Sequence, residues 1–486
     1  MQWKELLCSN RERNPKPNPN SSDLRTEFEK DYHRIIGSAS FRRLQDKTQV
    51  FPLDRSDFIR TRLTHSLEVS SFAKSLGQNI SEMLLKDHMD ETFLPSYKQD
   101  VCDILQCAGL LHDIGNPPFG HFGETAIREW FIRNLPLLQY RGKPVSDVLT
   151  EQMREDFYHF EGNTQALRVV TKLHYLVDEH GMNLTKGLLG TIIKYPIASN
   201  QIIDPKKKKN DAENDWNDAP GSPKITYKKM GYYYADRDVF NDIEEATGAR
   251  GCRHPLTFLL EAADDIAYKT ADIEDAYKKG CLSFEKLLSE LNEKKTDPAA
   301  GEEYAQMVDD LTKRYQKACE RGIDSPEIYA LQNWIVRVQG RMIQYATRGF
   351  KEHYREIMDG TYADDLFAGI EGAFMMDVLG DIAYRYAFIS KPILKLEIAA
   401  DSVFKFLLER FVDAAIYYDT EVKLNDVQQK LMSLVSENYK TIYKIYSKDK
   451  NDTEKLYLRL LLVTDSICGM TDSYAKSLYQ ELNGIA

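Results

Sequence analysis

The sequence lacks three features that would each point to a definite class of protein. Its seven cysteines are scattered without CxxC or CxxH spacing, so neither a disulfide framework nor a zinc knuckle is indicated. No apolar run reaches the length of a membrane span, and residues 1–20 are polar, without a signal-peptide pattern. A net positive charge is also lacking, since the formal net charge is -11, which argues against a general nucleic-acid coat. We therefore expect a cytoplasmic protein that binds its ligands at a local site.

What the chain does have is length and helical periodicity. Its 486 residues, 42% apolar and 29% charged, suffice for one large domain or a main domain with substantial additions. Apolar residues recur at helical spacing in several segments, which predicts helices at 62–85, 100–111, 163–177, 256–279, 403–418, 426–446 and 454–482. The predicted fold class is mainly α, with at most short β-strands.

Two breaks divide the chain into regions. Residues 204–223 are rich in charge, Asn, Pro and Gly, which is typical of a loop or small insertion, and a second break lies at 292–303. The run Lys206 to Lys209 in the first break is more often a solvated face than a binding site. We predict an irregular N-terminal arm, a helical core that contains the insertion, and a helical C-terminal region packed on that core, at residues 1–24, 25–290 and 291–486.

The stretch LHDIGNPPFGHFGE, residues 111–124, carries the strongest chemical signal. His112 and Asp113 fall where the preceding helix has to end, since the Gly and Pro residues that follow cannot continue it. Near a helix end both side chains can turn toward one point, and an imidazole beside a carboxylate suits a divalent metal. His121 and Glu124 form a second polar pair, for which the plain alternative is a hydrogen bond that stabilises the loop.

His65 is the first candidate for a further metal ligand. It lies near the predicted start of a helix, with Arg62 one turn earlier on a similar face. If it stood alone, a core histidine hydrogen-bonded to a backbone carbonyl would be the better interpretation.

A second candidate lies in the segment 261–268, EAADDIAY. Two adjacent acids interrupt an apolar helix there, and such acids are costly to bury unless they are paired or bound to metal. Asp264, Tyr268 and Asp272 share one helical face, whereas Asp265 points about 100° away from Asp264. We therefore favour Asp264 as the ligand.

Four side chains can thus form one metal site: His65, His112, Asp113 and Asp264. Two imidazoles with two carboxylates suit Mn²⁺, Fe²⁺ or Mg²⁺ in an octahedral site better than a closed tetrahedral zinc site. Water would complete the coordination shell and lose a proton more readily there.

The order of these residues resembles HD-domain phosphohydrolases, and several longer strings narrow the resemblance. They are FRRLQDKTQV (41–50), TRLTHSL (61–67), LLHDIGNPPFGHFGE (110–124), HFEGNTQALR (159–168), KYP (194–196), RHPLTFLLEAADDIAY (253–268) and GMTDSYA (469–475). They span nearly the whole chain and resemble bacterial deoxyguanosine triphosphate triphosphohydrolases, the dGTPase branch of the superfamily. The resemblance implies an HD-domain helical core with additional C-terminal helices. The last string we interpret as a structural turn.

The resemblance also implies a reaction. Water would attack the α-phosphorus of dGTP, and of other dNTPs as further candidates, to release the deoxynucleoside and tripolyphosphate. The four ligands named above would hold a divalent metal, Mn or Mg in the first place and Fe, Ni or Zn as alternatives. His121 and Glu124 would be the catalytic pair, since a carboxylate can orient an imidazole and stabilise its charge while it handles a proton.

Six further side chains resemble the substrate contacts of the family: Gln49, Arg62, Lys194, Tyr195, Tyr268 and Asp272. The first two would lie near the sugar and α-phosphate, and the next two would contact the phosphates. Tyr268 would pack under the deoxyribose and crowd out a 2′-hydroxyl, while Asp272 would accept a hydrogen bond from the 3′-hydroxyl. One of Lys228 and Lys229 is a further candidate for a phosphate contact.

The resemblance further implies a homo-oligomer, with a hexamer as one form, and single-stranded DNA or a nucleotide as candidate effectors. We expect no membrane partner. The alternative function is an HD-domain phosphodiesterase or pyrophosphohydrolase of a signalling nucleotide, which would share the metal ligands without needing the second polar pair or the Tyr268 face. A nucleic-acid-binding or regulatory protein that has kept the fold is a third interpretation, and loss of a ligand would favour it.

Overall fold

The computed structural model describes residues 1–13, 23–51, 53, 58–175, 178–203, 226–370 and 372–485. Over these ranges the chain is mainly α-helical, which confirms the predicted fold class, and its strands form one antiparallel hairpin of β1 (Gln139–Tyr140) and β2 (Lys143–Pro144). Every helix in these ranges is too short or too polar to serve as a membrane span. The predicted insertion at 204–223, with its lysine run, lies outside the described residues.

The helices of the first half precede residue 250. They are α1 (Trp3–Leu6), α2 (Glu27–Ile36), α3 (Ala39–Arg42), α4 (Arg62–Lys86), α5 (Tyr97–Leu111), α6 (His121–Asn134), α7 (Val145–Val148), α8 (Glu151–Tyr158), α9 (Gly162–Arg168), α10 (Lys186–Ile192) and α11 (Arg237–Thr247). Short 3₁₀ turns at Arg43–Asp46, Ser199–Gln201 and Tyr234–Asp236 and a π-helical turn at Val169–Leu173 connect them.

The second half continues with longer helices. They are α12 (Pro255–Lys278), α13 (Phe284–Glu293), α14 (Gly301–Glu320), α15 (Pro326–Glu352), α16 (Tyr354–Asp359), α17 (Phe374–Ala383), α18 (Lys391–Ala415), α19 (Asp426–Leu434), α20 (Glu437–Ser447), α21 (Asp452–Cys468) and α22 (Asp472–Leu482). A 3₁₀ turn at Lys294–Thr296 and a π-helical turn at Tyr384–Phe388 lie between them.

The buried apolar side chains form two clusters. The first lies among α4, α5, α12, α15 and α17, where Leu76, Leu105 and Ile266 are fully buried. The second lies among α6, α8, α18 and α21, with Phe131 and Leu460 at its centre. Each buried Leu or Ile contributes about 2 kcal/mol relative to an exposed one, so both clusters hold their helices in fixed positions. The loop between α5 and α6 therefore passes from one cluster to the other.

The ends of the helices are fixed by local chemistry. Thr61 caps α4 by accepting a hydrogen bond from the backbone N–H of Thr64, which places Arg62 and His65 in the first turn. A Cβ at Gly109 would lie 2.5 Å from Cα of Ser70, so this glycine allows α4 and α5 to approach closely. The close crossing brings the first turn of α4 beside the last turn of α5.

Three helices of the C-terminal region differ from their predicted bounds. The helix predicted at 403–418 begins at Lys391, because exposed apolar side chains at Leu394 and Ile398 obscure its periodicity. The segment 426–446 is two helices, since Val435 is extended (ψ 131°) and α20 starts after Ser436. The segment 454–482 is also two helices, because the chain turns at 469–471 before α22 starts.

Candidate metal centre and active site

Three side chains from three helices converge on one point. His65 lies in the first turn of α4, His112 directly after α5, and Asp264 in the middle of α12. Nε2 of His65 lies 3.2 Å and Nε2 of His112 lies 3.6 Å from the same Oδ1 of Asp264, and one ligand atom of each residue lies within 4.8 Å of the others. Among the described residues this is the group whose donor atoms could hold a metal ion.

The chemistry of these donors fits a divalent cation. Nδ1 of His112 lies 2.8 Å from the backbone carbonyl of Gly109 and donates to it, so Nε2 is the nitrogen that offers a lone pair when the ring is neutral. Nε2 of His112 is buried and has no hydrogen-bond partner among the described residues. A buried lone pair aimed at a carboxylate calls for a cation between them, since an unpaired polar atom is costly to bury.

Asp113 lies beside this group but is held by other partners. Its Oδ2 accepts a hydrogen bond of 2.6 Å from Nη1 of Arg62 and lies 3.4 Å from Nε2 of His112. Its Oδ1 accepts from Nδ2 of Asn116 at 2.5 Å. Both carboxylate oxygens are therefore oriented before any ligand enters.

The charges of the cluster shift the pKa values of its members. Burial lowers the pKa of His112, but the carboxylates of Asp113 and Asp264 outweigh burial and raise it to about 9. Burial raises the pKa of Asp264, but the two imidazoles outweigh it and lower the value to about 2. Without a cation the cluster takes up a proton to balance its carboxylates, and a bound cation would take over that role.

The second polar pair lies at the start of α6. Nδ1 of His121 and Oε2 of Glu124 are 3.0 Å apart, and their side chains are 76% and 2% exposed. The backbone N–H of Gly162 donates to Oε1 of Glu124 at 2.8 Å, and Nη2 of Arg128 donates to Oε2 at 3.1 Å. A buried, firmly held carboxylate thus supports an imidazole that reaches into open space.

Gly120 connects the two parts of the site. It precedes α6 with a φ of +59°, and Phe119 has the same positive φ. A Cβ at Gly120 would lie 2.3 Å from Nη2 of Arg62, the residue that holds Asp113. The backbone beside His121 therefore abuts the arginine that binds Asp113.

The face of α12 that carries Asp264 continues to Tyr268 and Asp272. The ring of Tyr268, four residues on, stacks on Phe388 with centroids 5.8 Å apart. Asp272 is fully buried, and its Oδ2 has no hydrogen-bond partner among the described residues. Burial raises the pKa of Asp272 well above its ordinary value, with Asp275 adding to the effect. An aromatic ring next to an unpartnered carboxyl offers one apolar and one polar contact to a small ligand.

The predicted phosphate-binding lysines already have carboxylate partners. Nζ of Lys194 lies 3.1 Å from Glu261 on α12, one turn before Asp264. Nζ of Lys229 lies 2.9 Å from Glu161, whereas Lys228 is exposed, so Lys229 is the better placed of the two neighbours.

Two predicted substrate contacts remain. Tyr195 is buried, and burial raises its pKa. Gln49 follows Thr48, whose backbone bridges Thr61 at the start of α4, and the side-chain oxygen of Gln49 is buried without a partner among the described residues. Gln49 thus lies near the start of α4, where the antiparallel bridge sets Lys47, and not Gln49, opposite Arg62.

Several residues that support the site are not among those that the sequence predicts. They are Lys47, Asn116, Arg128, Glu261 and Asp472, each of which contacts the site or its loops. Asn116 and Asp472 fall within the strings HDIGN and GMTDSYA, but nothing in those strings shows which contacts their side chains make. Asn163 lies inside the first turn of α9 and donates to Glu161.

Comparison with known proteins defines the class first. A model of the HD domain family matches residues 62–176, which begin at α4 and include His65, His112 and Asp113. The fold and the ligand cluster therefore define an HD-domain hydrolase.

Relatives matched over the whole chain define the branch. A Listeria monocytogenes protein named deoxyguanosinetriphosphate triphosphohydrolase-like is 45% identical over 490 residues, which cover 100% of both chains. A Pseudomonas aeruginosa protein of the same name is 34% identical, covering 100% of this chain and 99% of its own. A Yersinia enterocolitica protein named deoxyguanosinetriphosphate triphosphohydrolase is 29% identical, covering 94% and 93%. The chain belongs to the deoxyguanosinetriphosphate triphosphohydrolase family of enzymes, which confirms the resemblance.

Proposed function

We propose that the protein hydrolyses dGTP, with other dNTPs as further candidates, to the deoxynucleoside and tripolyphosphate. Water attacks the α-phosphorus, the bond between that phosphorus and the 5′-oxygen breaks, and the 5′-oxygen takes up a proton and leaves as the deoxynucleoside. The three phosphates are released together as tripolyphosphate. The reaction depends on a divalent metal, Mn or Mg in the first place. Membership of the family and the names of its relatives support this substrate, and the geometry of the site supports the chemistry.

The proposed ligands are His65, His112, Asp113 and Asp264. The first, second and fourth already point their donor atoms at one another, and Asp113 is the neighbour whose oxygens lie nearest to His112. A cation bound there would supply Lewis acidity to a phosphoryl oxygen and make water more acidic.

His121 is the proposed acid–base residue, and Glu124 its partner. Because Nδ1 of His121 is bonded to Glu124, its Nε2 is left to exchange a proton at the α-phosphate. Burial raises the pKa of Glu124, but the hydrogen bond from His121 lowers it, and Lys229 and Arg128 add to this. The carboxylate therefore stays ionised and stabilises the imidazolium while it holds the proton.

The proposed substrate contacts follow the same surface. Tyr268 would pack against the deoxyribose, and Asp272 would gain from the 3′-hydroxyl the partner that its Oδ2 lacks. Lys194, Tyr195 and Arg62 would face the phosphates, and Gln49 the sugar. For the two basic residues this requires an exchange of partners, since both now bind carboxylates.

One observation carries the proposal: Arg62 joins the ligand group to the loop before His121. Its guanidinium binds Asp113 and lies against Gly120, and His121 is the next residue after Gly120. A metal-dependent hydrolase needs these two elements side by side, because the group that moves protons has to reach an oxygen on the phosphorus that a bound metal would activate.

The test is a product analysis with the purified full chain. The protein is incubated with Mn²⁺ and each of the four dNTPs, and separately with GTP, and the phosphate products are resolved by ion-exchange chromatography. The variant Asp264→Asn serves as the control for contaminating phosphatases. Tripolyphosphate from dGTP alone indicates a strict dGTPase, and from several dNTPs a broader triphosphohydrolase.

The second candidate function is hydrolysis of a signalling nucleotide. Pyrophosphate or monophosphate as the product, with no tripolyphosphate from any dNTP even when nucleotides or single-stranded DNA are added, would favour it. The positions of His121 and Tyr268 beside the ligand group argue for the first function.

A further inference from the structure

The turn between α21 and α22 lies against two parts of the candidate site. The carboxylate of Asp472 is buried, with 1% of its surface exposed. Its Oδ1 accepts a hydrogen bond of 2.8 Å from the backbone N–H of Phe119, two residues before His121. Its Oδ2 accepts from the backbone N–H of Thr48 at 3.0 Å and from the Thr48 hydroxyl at 2.5 Å. One carboxylate thus binds the backbones next to His121 and Gln49.

A second contact joins the same three segments. Nζ of Lys47 is buried and donates to the carbonyl of Asn116 at 2.6 Å and to the carbonyl of Cys468 at 2.7 Å. Asn116 in turn donates to Asp113. The loop between Asp113 and α6 is therefore connected to the segment 468–472 at two points, through Lys47 at Asn116 and directly at Phe119.

The loop needs such contacts because the backbone conformation of Phe119, where Asp472 binds, is energetically unfavourable. Phe119 has a φ of +59°, a region in which a residue with a Cβ clashes with its own backbone. Such a conformation persists only where the surroundings impose it. The hydrogen bond from Phe119 to Asp472 and the edge-on contact of its ring with Phe404, with centroids 6.2 Å apart, are the contacts that do so.

We infer that Asp472 is a positioning residue of the hydrolase, which acts through Phe119 to aim His121 at the reacting phosphate. The inference rests on the proposed function for the identity of the reaction. The carboxylate itself does not touch substrate, because its two oxygens are taken up by Phe119 and Thr48. The GMTDSYA turn thus belongs to the active site although it lies 353 residues beyond Phe119 in the chain.

A second buried aspartate provides a matched control. Asp31 on α2 is fully buried, and its Oδ2 accepts from the backbone N–H and the hydroxyl of Thr185, at 3.0 and 2.6 Å. Its other oxygen binds Arg11. Asp31 therefore has the same kind of contacts as Asp472, but they hold the N-terminal segment instead of the loop before α6.

The experiment compares Asp472→Ala, Asp472→Asn and Asp31→Asn in the full chain with Mn²⁺ and dGTP. We expect Asp472→Ala to lower kcat by at least about 10-fold, the effect of losing a hydrogen bond to a charged acceptor, with KM changed by less than about 3-fold. Asp472→Asn, which keeps an oxygen for Phe119, should recover part of kcat. Asp31→Asn should lower the unfolding temperature but leave kcat within about 2-fold.

Hydrogen exchange gives a readout that does not depend on activity. Peptides covering 116–121 should exchange at least about 10-fold faster in Asp472→Ala, while peptides from α12 stay protected. Unchanged kcat and unchanged exchange in Asp472→Ala, with a loss of stability like that of Asp31→Asn, would show a merely structural residue and overturn the inference. If Asp472→Ala does not fold, the same two measurements on Asp472→Asn decide.

The failure of the inference can be told apart from failure of the proposed function. If the unaltered protein releases no tripolyphosphate, the proposed function fails, and with it the catalytic part of the inference. The exchange measurement still decides whether Asp472 holds the loop. If the unaltered protein is active and the Asp472 variants keep its kcat, the inference alone is overturned.

Discussion

Nε2 of His65 lies 3.2 Å from Oδ1 of Asp264, so that the first turn of α4 meets the middle of α12 through two side chains 199 residues apart. The side chain of His65 is buried, whereas that of Asp264 is 31% exposed. Nε2 of His112, which has no hydrogen-bond partner in the described part of the chain, points at the same oxygen. Removing that oxygen should affect the two imidazoles together.

We therefore expect Asp264→Asn to abolish metal binding and activity. The amide keeps the shape but lacks the negative charge that a divalent cation requires. Metal content after gel filtration and kcat with dGTP measure the two effects. Asp265→Asn is the matched control, because the adjacent carboxylate lies 3.8 Å from Lys269 instead of facing the imidazoles. Equal metal content in the two variants would contradict the proposed centre.

His121→Ala should lower kcat by about 10²-fold or more, the scale of general acid–base catalysis, and leave the metal bound. His353→Ala is the matched control. His353 and Glu356 are also three residues apart, with Nδ1 and Oε2 separated by 2.9 Å, but they lie away from the ligand group. If His121→Ala raised KM without lowering kcat, His121 would bind substrate and not transfer protons.

Gly120→Ala should reduce activity at least as strongly. A methyl group there would lie 2.3 Å from Nη2 of Arg62 and displace the guanidinium from Asp113. Gly142→Ala separates this collision from backbone strain, since Gly142 also has a positive φ (78°) but a methyl group there would meet no atom within 4 Å. Kinetics and thermal unfolding of both variants make the comparison. Similar activity in the two would argue against the contact with Arg62.

Tyr268→Ala should let ribonucleotides compete with dNTPs, because the ring that would crowd a 2′-hydroxyl is gone. Inhibition of dGTP hydrolysis by GTP measures the effect, as the ratio of the affinity for GTP to the affinity for dGTP. Tyr277→Ala, on the same helix two turns beyond the site, is the control for loss of a tyrosine from α12. An unchanged preference for deoxyribose in Tyr268→Ala would refute the packing role.

The ionised carboxylate of Glu261 should stabilise the folded protein, and this contribution should be lost in acid. Burial raises the pKa of Glu261, but Lys194 and Arg253 outweigh burial and hold it at about 2, below the ordinary value of 4.5. A carboxyl with a lowered pKa stabilises the folded state above its ordinary value, and this stability is lost as the pH falls from 4.5 toward 2. Glu261→Gln should therefore cost on the order of 2 kcal/mol at neutral pH.

Denaturant unfolding at a series of pH values measures that contribution. In Glu261→Gln the free energy of unfolding should fall less steeply between pH 4.5 and 2 than in the unaltered protein. Glu285→Gln, at an exposed position on α13, should leave the slope as it is. A slope that does not change in Glu261→Gln would show that the ion pair with Lys194 does not control acid stability.

The sequence predicts much of the helical frame near the site because the signals there are local. The helix predicted at 62–85 ends one residue later, and the end of α5 at Leu111 agrees with the prediction. On α12, Asp264 and Asp265 point to different sides, as helical geometry predicts, since Asp264 contacts His65 while Asp265 lies beside Lys269. Caps, breakers and helical period are all contained within a few neighbouring residues.

What the sequence does not show is which distant groups meet. The carboxylate of Asp472 binds Thr48 across 424 residues, and Lys47 reaches Cys468 across 421. No periodicity or spacing links such positions, so the turn at 469–475 could be assigned only a structural role. The partners of Lys194 and Arg62 are hidden for the same reason, because a basic residue in a sequence does not reveal which carboxylate it faces.

The basic residues of the candidate site are already bound to carboxylates, and this affects which anions can bind there. Arg62, Lys194 and Lys229 each have a carboxylate partner, within 2.6, 3.1 and 2.9 Å. An anion that enters has to compete with these internal partners for every cation it uses. Inorganic phosphate or sulfate offers one such replacement, whereas a triphosphate chain offers several at once from a single molecule. We therefore expect a triphosphate to bind these residues better than phosphate or sulfate does.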